Sequence, residues 1–209
     1  MVEWSIAAFR AAGPVRSIVV AAPPGYVHDL AGGDLGVVAG GRTRAESVSN
    51  ALAAVGTELV AVHDAARPLV TPGLIEAMVA TLDGDSEADG VIAATPLTDT
   101  VKQAPARRRR VGEGPMSPVP GTSAGELVVE ATLDRSRLWA AQTPQVFHVG
   151  ALREALAVDP ERRAAATDEA MLVEAAGGRV LIHPSPPENL KVTTPLDLRV
   201  AELLLAGAA

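Results

Sequence analysis

The chain of 209 residues contains no cysteine, and only 2% of it is aromatic. The first absence excludes disulfides, thiolate catalysis and cysteine-based metal sites. The second leaves Ala, Val and Leu to fill the core, because hydrophobic residues still make up 48% of the chain. Such a core resembles the Val- and Leu-rich layers of α/β proteins. No run approaches the roughly 18 apolar residues that a membrane span needs. The first residues carry Glu3 and Arg10 and lack the pattern of a secretory signal, so a cytoplasmic location is expected. A formal net charge of −7 argues against a general nucleic-acid binder. The basic run Arg107, Arg108, Arg109 and Arg110 lies between Pro105 and Gly112 without aromatic neighbours, and it reads as a solvated loop.

Against that background the hydrophobic pattern is regular. Helical spacing is expected over residues 1–12, 44–55, 72–82, 149–158 and 168–176, with a last helix running from Thr194–Pro195 to about Leu205 and a short one at 26–30. Short apolar runs at 17–21, 36–39, 58–62, 90–95 and 179–183 read as strands, and 189–192 as a short extended piece. Alternation of this kind predicts a single α/β domain over 1–209, with helices on both faces of a mainly parallel sheet. The chain opens on a helix, with no strand before it to supply the first strand–loop–helix unit. Residues 98–102 and 127–133 read as the two legs of a protruding β-arm, at about 98–137, whose tip at 103–126 is rich in Gly, Pro and Arg. An arm that leaves its domain finds burial on a partner subunit, so a homodimer is expected.

The densest chemistry lies at His63–Asp64–Ala65–Ala66–Arg67–Pro68. It follows the strand at 58–62 and precedes Thr71–Pro72, a cap followed by a first-turn proline. Asp64 and Arg67 therefore stand at the carboxyl end of a strand, the edge where open α/β sheets bind ligands. Asp64 could hold a divalent cation, and Arg67 could hold a phosphate or fix Asp64; a loop salt bridge is the plain alternative. Gly40–Gly41 opens a helix through Arg42, Thr43 and Ser47, either as a cap or as a close approach to a ligand. In 167–170 a Thr hydroxyl could cap a helix or meet a phosphate. Lys191 sits within an apolar extended segment, which is costly unless its ammonium meets an anion.

Taken in order, GGRTRAESV, VHDAARP, TVK, AQTPQVF, TDEA and NLKVTTPLDL closely resemble the 2-C-methyl-D-erythritol 4-phosphate cytidylyltransferases, over about residues 18–202. The resemblance implies a three-layer, Rossmann-like nucleotidyltransferase fold, a homodimer with interlocking β-arms, and a divalent cation, usually Mg²⁺. It implies transfer of the cytidylyl group of CTP to methylerythritol phosphate, giving 4-diphosphocytidyl-2-C-methyl-D-erythritol and pyrophosphate in non-mevalonate isoprenoid synthesis. Gly40, Gly41, Arg42, Ser47, Asp64 and Ala65 would hold the nucleotide. Thr100, Thr143, Thr167, Lys191 and, from the partner's arm, Arg135 would hold methylerythritol phosphate. Lys191, Asp64 and Arg67 would be the catalytic set, with Asp64 and Glu188 facing the metal. In-line phosphoryl transfer needs positioning and positive charge more than a protein base, so His63 reads as structural.

Three departures from the family shape further expectations. The family begins with a strand and a glycine-rich loop, AAGxGxRxxxxxPK, that wraps the triphosphate, and no such segment occurs here. A late-assigned start codon explains that; a shortened dimeric nucleotide-binding protein without turnover is the alternative. Loss of the strand should leave its sheet neighbours with unpaired backbone groups. The arm tip is longer than usual, and Arg42 stands where the family often has an acid. A cytidylyltransferase for another polyol phosphate, such as ribitol 5-phosphate, shares many of these motifs.

Overall fold

A computed structural model describes residues 1–30, 35–104 and 128–207, with Asp29 and Leu30 described by backbone only. The run 107–110 and all but the first two residues of the arm tip lie outside the described residues. In chain order the elements are α1 (Val2–Ala11), β1 (Ile18–Ala22), α2 (Val27–Leu30), β2 (Leu35–Ala39), α3 (Arg44–Leu52), β3 (Leu59–Val62), α4 (Pro72–Asp83) and β4 (Gly90–Pro96). Then come β5 (Lys102–Gln103), β6 (Ala131–Thr132), β7 (Trp139–His148), α5 (Val149–Leu156), α6 (Pro160–Ala165), α7 (Glu169–Ala175), β8 (Val180–Pro184) and α8 (Pro195–Gly207). Two compact units result, Met1–Thr95 with Ala141–Ala209, and Pro96–Ala140.

In the first unit, side chains that alternate along a strand face opposite layers. Val91, Ala93 and Val146 pack with Phe9 of α1 and with Leu74, Ile75, Met78 and Leu82 of α4. Their neighbours Ile92 and Phe147 pack instead with Leu52 of α3, Leu152 and Leu156 of α5, and Leu172 and Val173 of α7. Leu59 and Ala61 follow the first set, Val60 and Val62 the second. Helices thus cover both faces, the expected three layers. Local signals set the helix starts: Thr71 accepts from the Leu74 amide with Pro72 behind it, and Thr43 accepts from the Glu46 amide. The sequence reading omitted α6, although Asp159 caps it and Pro160 opens it in the same way.

The sheet is divided. β1 pairs with β2 in parallel, Ile18 opposite Leu35. The other four main strands run in the order β3-β7-β4-β8; β4 and β8 are parallel, whereas β7 runs antiparallel to β3. Among the described residues β1 and β3 thus each have one strand neighbour. Residues 189–192, expected to be extended, form no strand. The Val192 amide donates instead to the Ala66 carbonyl at 2.8 Å, binding this loop to the one after β3.

The second unit is a narrow antiparallel ladder. Gln103 stands opposite Ala131 and Lys102 opposite Thr132. Backbone bonds from Glu130 to Gln103, Leu133 to Val101 and Leu97 to Leu138 extend the pairing beyond the strands themselves. The two legs are therefore joined as expected, although regular strand covers only two residues on each.

Gly90 and Gly73 give a matched test of the packing. A Cβ at Gly90 would overlap the ring of Phe147, which is fully buried and has no room to move. Gly90→Ala is expected to cost about 2 kcal/mol and to lower Tm by roughly 4–8 °C in a thermal melt. A Cβ at Gly73, in the first turn of α4, meets nothing within 4 Å; Gly73→Ala should hold or raise Tm by about 1–3 °C.

Candidate active site

Three segments converge beyond the carboxyl end of β3. The chain leaves β3 into a turn closed by the Arg67 amide on the Asp64 carbonyl at 2.9 Å. The Asp64 amide donates to the Thr143 hydroxyl of β7 at 3.0 Å, and that hydroxyl is 3.0 Å from His63 Nδ1. His63 Nε2 lies 3.1 Å from the Arg67 carbonyl. A carbonyl only accepts, so Nε2 carries the proton, Nδ1 accepts from Thr143, and one hydroxyl serves both its neighbours. The ring also rests against Phe9, centroids 5.3 Å apart. Burial pushes the His63 pKa down to about 4, against the opposing pull of the Arg67 carbonyl and Asp64. His63 is thereby a neutral brace of the turn.

The Asp64 carboxylate is held from two sides. Arg44 Nε reaches Oδ1 at 2.9 Å, and Lys191 Nζ reaches Oδ2 at 2.9 Å. Arg44, the first residue of α3, also pairs through Nη1 with Glu169, the first residue of α7. Two anions and two cations alternate in a chain: Lys191, Asp64, Arg44, Glu169. Arg44 was not singled out in the sequence. Its signal was a cation at the first position of a helix, where the dipole opposes it and an acid must compensate. Glu169 was also passed over. It stood next to a capping acid and passed for part of the cap.

The two carboxylates on Arg44 shift in opposite directions. Burial would raise Asp64, but the Lys191 ammonium and the Arg44 guanidinium outweigh it and hold the carboxyl below the usual range. Burial dominates at Glu169 and raises it despite Arg44. The structure explains the difference: the Glu169 side chain is 1% exposed and its Oε1 has no hydrogen-bond partner among the described residues, whereas both Asp64 oxygens are paired.

Other predicted residues are engaged differently from expectation. Arg67 is buried, and its Nη1 donates to the Asn189 carbonyl at 2.7 Å. The side chains ion-paired to Asp64 are Arg44 and Lys191 rather than Arg67. Asn189 in turn donates to Gln142 Oε1 and to the Thr143 carbonyl, both at 2.9 Å, so buried amides fix the loop that carries Lys191. The anion that meets Lys191 is Asp64, and Lys191 stands on a loop rather than in the expected extended segment. The cap of α7 is Asp168, which accepts from the Met171 amide at 3.0 Å. Thr167, expected to be able to cap, is exposed one residue outside the helix start. A carboxylate caps at least as well as a hydroxyl, and here it lies one position nearer. Ala65 is exposed in the turn, and Glu188 is exposed just before Asn189.

At the glycine pair, the Gly41 amide donates to Ser47 Oγ at 3.0 Å and the Arg42 amide to Glu46 Oε2 at 2.8 Å. A Cβ at Gly41 would overlap the Glu46 side chain. The pair thus shapes the entry to α3 and so aims Arg44. Thr100 and Arg135 belong to the arm unit, where an Arg135 guanidinium nitrogen donates to the Thr98 carbonyl. Among the described residues no three His, Asp or Glu gather as a metal cluster.

Two measurements probe this arrangement. Glu169→Ala leaves the Arg44 guanidinium, about a third exposed, with one anion. The expected cost in a urea titration is about 2 kcal/mol, below that of a fully buried pair because water reaches Arg44. His63 gives a pH dependence. The unfolded state protonates near 6.5 and the folded state only near 4, so stability present above pH 6.5 is lost as pH falls toward 4. The loss is bounded at about 3 kcal/mol, and the difference between the wild-type protein and His63→Gln across that window isolates it.

Comparison with known proteins relates the chain as a whole to one family. The family described as IspD, 2-C-methyl-D-erythritol 4-phosphate cytidylyltransferase, matches residues 1–114 and 118–207. A protein of that name from Ralstonia nicotianae is 37% identical over the whole chain, which covers 81% of it. A bifunctional IspD/IspF enzyme from an Anaeromyxobacter species is 45% identical over 80% of the chain, which spans only 39% of that longer protein. The crystal structure of the cytidylyltransferase from Thermus thermophilus superposes with a TM-score of 0.74 at 31% identity, covering 98% of this chain and 88% of that one. The chain belongs to the 2-C-methyl-D-erythritol 4-phosphate cytidylyltransferase family.

Proposed function

We propose that the chain transfers the cytidylyl group of CTP to 2-C-methyl-D-erythritol 4-phosphate. A phosphate oxygen of methylerythritol phosphate attacks the α-phosphorus in line, the bond to the bridging oxygen breaks, and pyrophosphate leaves with its electron pair. The observation that carries this reading is the paired cations, Lys191 and Arg44, fixed around Asp64 beyond the end of β3. Such a reaction gains most from positioned positive charge. The Lys191 side chain is 44% exposed, so its ammonium can turn from Asp64 to a phosphate oxygen while Asp64 keeps Arg44. Arg67, anchored on Asn189, holds the turn that presents Asp64.

Asp64 fits a Mg²⁺ shared with nucleotide phosphates, since this ion commonly takes one or two carboxylates and completes its shell with phosphate and water. Glu188 is the second candidate ligand. When bound, the ion supplies further positive charge to the phosphates. Gly40, Gly41 and Arg42 of the loop before α3, Ser47 in the first turns of α3, and Ala65 next to Asp64 are assigned to the nucleotide. Thr143 and Thr167 are assigned to methylerythritol phosphate, as are Thr100 and Arg135 through the arm, in a homodimer. A cytoplasmic location is part of the same reading; among the described residues no helix is long and apolar enough to cross a membrane.

The test is pyrophosphate release from CTP and methylerythritol phosphate with Mg²⁺. Lys191→Ala is expected to lower the rate by about 100-fold or more, with an unchanged thermal melt as its folding control. Turnover of ribitol 5-phosphate in place of methylerythritol phosphate would reassign the substrate. Saturable CTP binding without any release would support a nucleotide-binding protein instead.

A further inference from the structure

β7 runs antiparallel to β3, with Gln145 opposite Val62, the last residue of β3. The residues of β7 before Gln145 therefore continue past the end of β3, along the edge where the site lies. Thr143 uses that reach to hold the Asp64 amide and His63. Gln142 and Gln145 on either side of it are buried as well, and the proposed transfer gives neither a role.

Each glutamine grips a different segment of the site. Gln142 Oε1 accepts from the Ser185 hydroxyl at 3.0 Å and from the Asn189 side-chain amide at 2.9 Å. These donors stand at the two ends of a short loop that holds Pro186 and Pro187, and Lys191 follows directly after it. Gln145 turns to the start of α7. Its Nε2 donates to Asp168 Oδ2 at 3.0 Å, and its Oε1 accepts from the Ala170 amide at 3.4 Å. Between those two contacts lies Glu169, the carboxylate paired with Arg44.

An amide side chain suits both tasks. Its oxygen has two lone pairs for two donors, and its N–H and oxygen together meet a carboxylate and a backbone N–H at once. In the interior a donor that loses such a partner cannot turn to water, so the loop is held to one arrangement.

We propose that Gln142 and Gln145 are positioning residues: Gln142 acts through Asn189 to set Lys191, and Gln145 acts through the start of α7 to set Glu169 and with it Arg44. The inference rests on the proposed transfer and adds the source of its precision. The two cations around Asp64 lie on separate segments, and one stretch of β7 places both.

Gln142→Met and Gln145→Met nearly keep each side chain's length and remove its polar atoms. Amide hydrogen exchange of the full chain without substrates reads the two segments separately. Gln142→Met should speed exchange of the Val192 amide, bound to the Ala66 carbonyl, by about tenfold or more, and leave the Met171 amide, bound to Asp168, unchanged. Gln145→Met should do the reverse. Ser185→Ala removes one donor from Gln142 and should move Val192 the same way by a smaller factor, which keeps the assignment readable if Gln142→Met does not fold. In turnover, each Met variant should lower kcat by about 10–100-fold with the KM for CTP unchanged. In a Lys191→Ala background Gln142→Met should cost nothing further, because the group it positions is gone, whereas Gln145→Met should keep its effect. The proposal is overturned if each variant loosens both amides or neither, or if Gln142→Met slows the Lys191→Ala protein as much as it slows the wild type. Absence of pyrophosphate release from the wild-type chain would overturn the proposed activity and not the two loop assignments, which the exchange pattern decides without turnover.

Discussion

The carboxylate of Asp64 is the point on which the site's geometry turns. It joins three parts of the chain that are distant in sequence: the turn after β3, the start of α3 through Arg44, and the loop after β8 through Lys191. Each contact alone is a partly exposed ion pair of modest worth. Together they fix the relative placement of segments whose backbones are otherwise tied by single bonds, such as Val192 to Ala66. The Asp64 amide is itself held by Thr143, so the carboxylate is set from its backbone outward.

The alternation of charge around Asp64 follows from helix physics. Arg44 stands at the first position of α3, where the positive end of the helix dipole disfavours it. Asp64 and Glu169 offset that cost, and Glu169 contributes a further anion from the start of α7, where the dipole favours it. The cation is therefore held in an orientation that α3 alone would not choose. Preorganised charge of this kind is what in-line phosphoryl transfer draws on, because donors fixed beforehand need no rearrangement as charge moves to the leaving group. Among the described residues one Glu169 oxygen has no partner in the interior, a polar cost borne next to the site.

Much of the layer order was legible in the sequence, because short, wholly apolar runs such as Val91–Ile92–Ala93 read as strands covered on both faces. The motifs also placed Asp64, Lys191 and the glycine pair where they converge. The ion-pair partners were not legible. Nothing local ties Arg44 to Glu169 across 125 positions, and the HDAARP motif offers Arg67 as the nearer partner for Asp64. Tertiary packing instead sends Arg67 to the Asn189 carbonyl. Lys191 was placed in a strand because its neighbours are apolar. In the segment's backbone the Asn189 carbonyl accepts from Arg67 and the Val192 amide donates to Ala66, while the Asn189 side-chain amide donates to Gln142 and to the Thr143 carbonyl. Buried amide networks of this sort have no sequence period, so pattern reading passes over them.

The divided sheet bears directly on the site. β3 carries Asp64 at its end, and its four residues are held on one side by β7, from Leu59 opposite His148 to Val62 opposite Gln145. A central strand in an unbroken sheet is held on both sides, and its end is correspondingly better fixed. Catalytic groups tolerate about half an ångström of misplacement before rate is lost, so the pairing state of β3 matters more than its small share of the total stability suggests. His63, Thr143 and the Asp64–Arg44 pair brace the turn from the β7 and α3 sides. Among the described residues β3 has no strand partner on its other side, so the placement of Asp64 rests on these side-chain braces rather than on a second ladder.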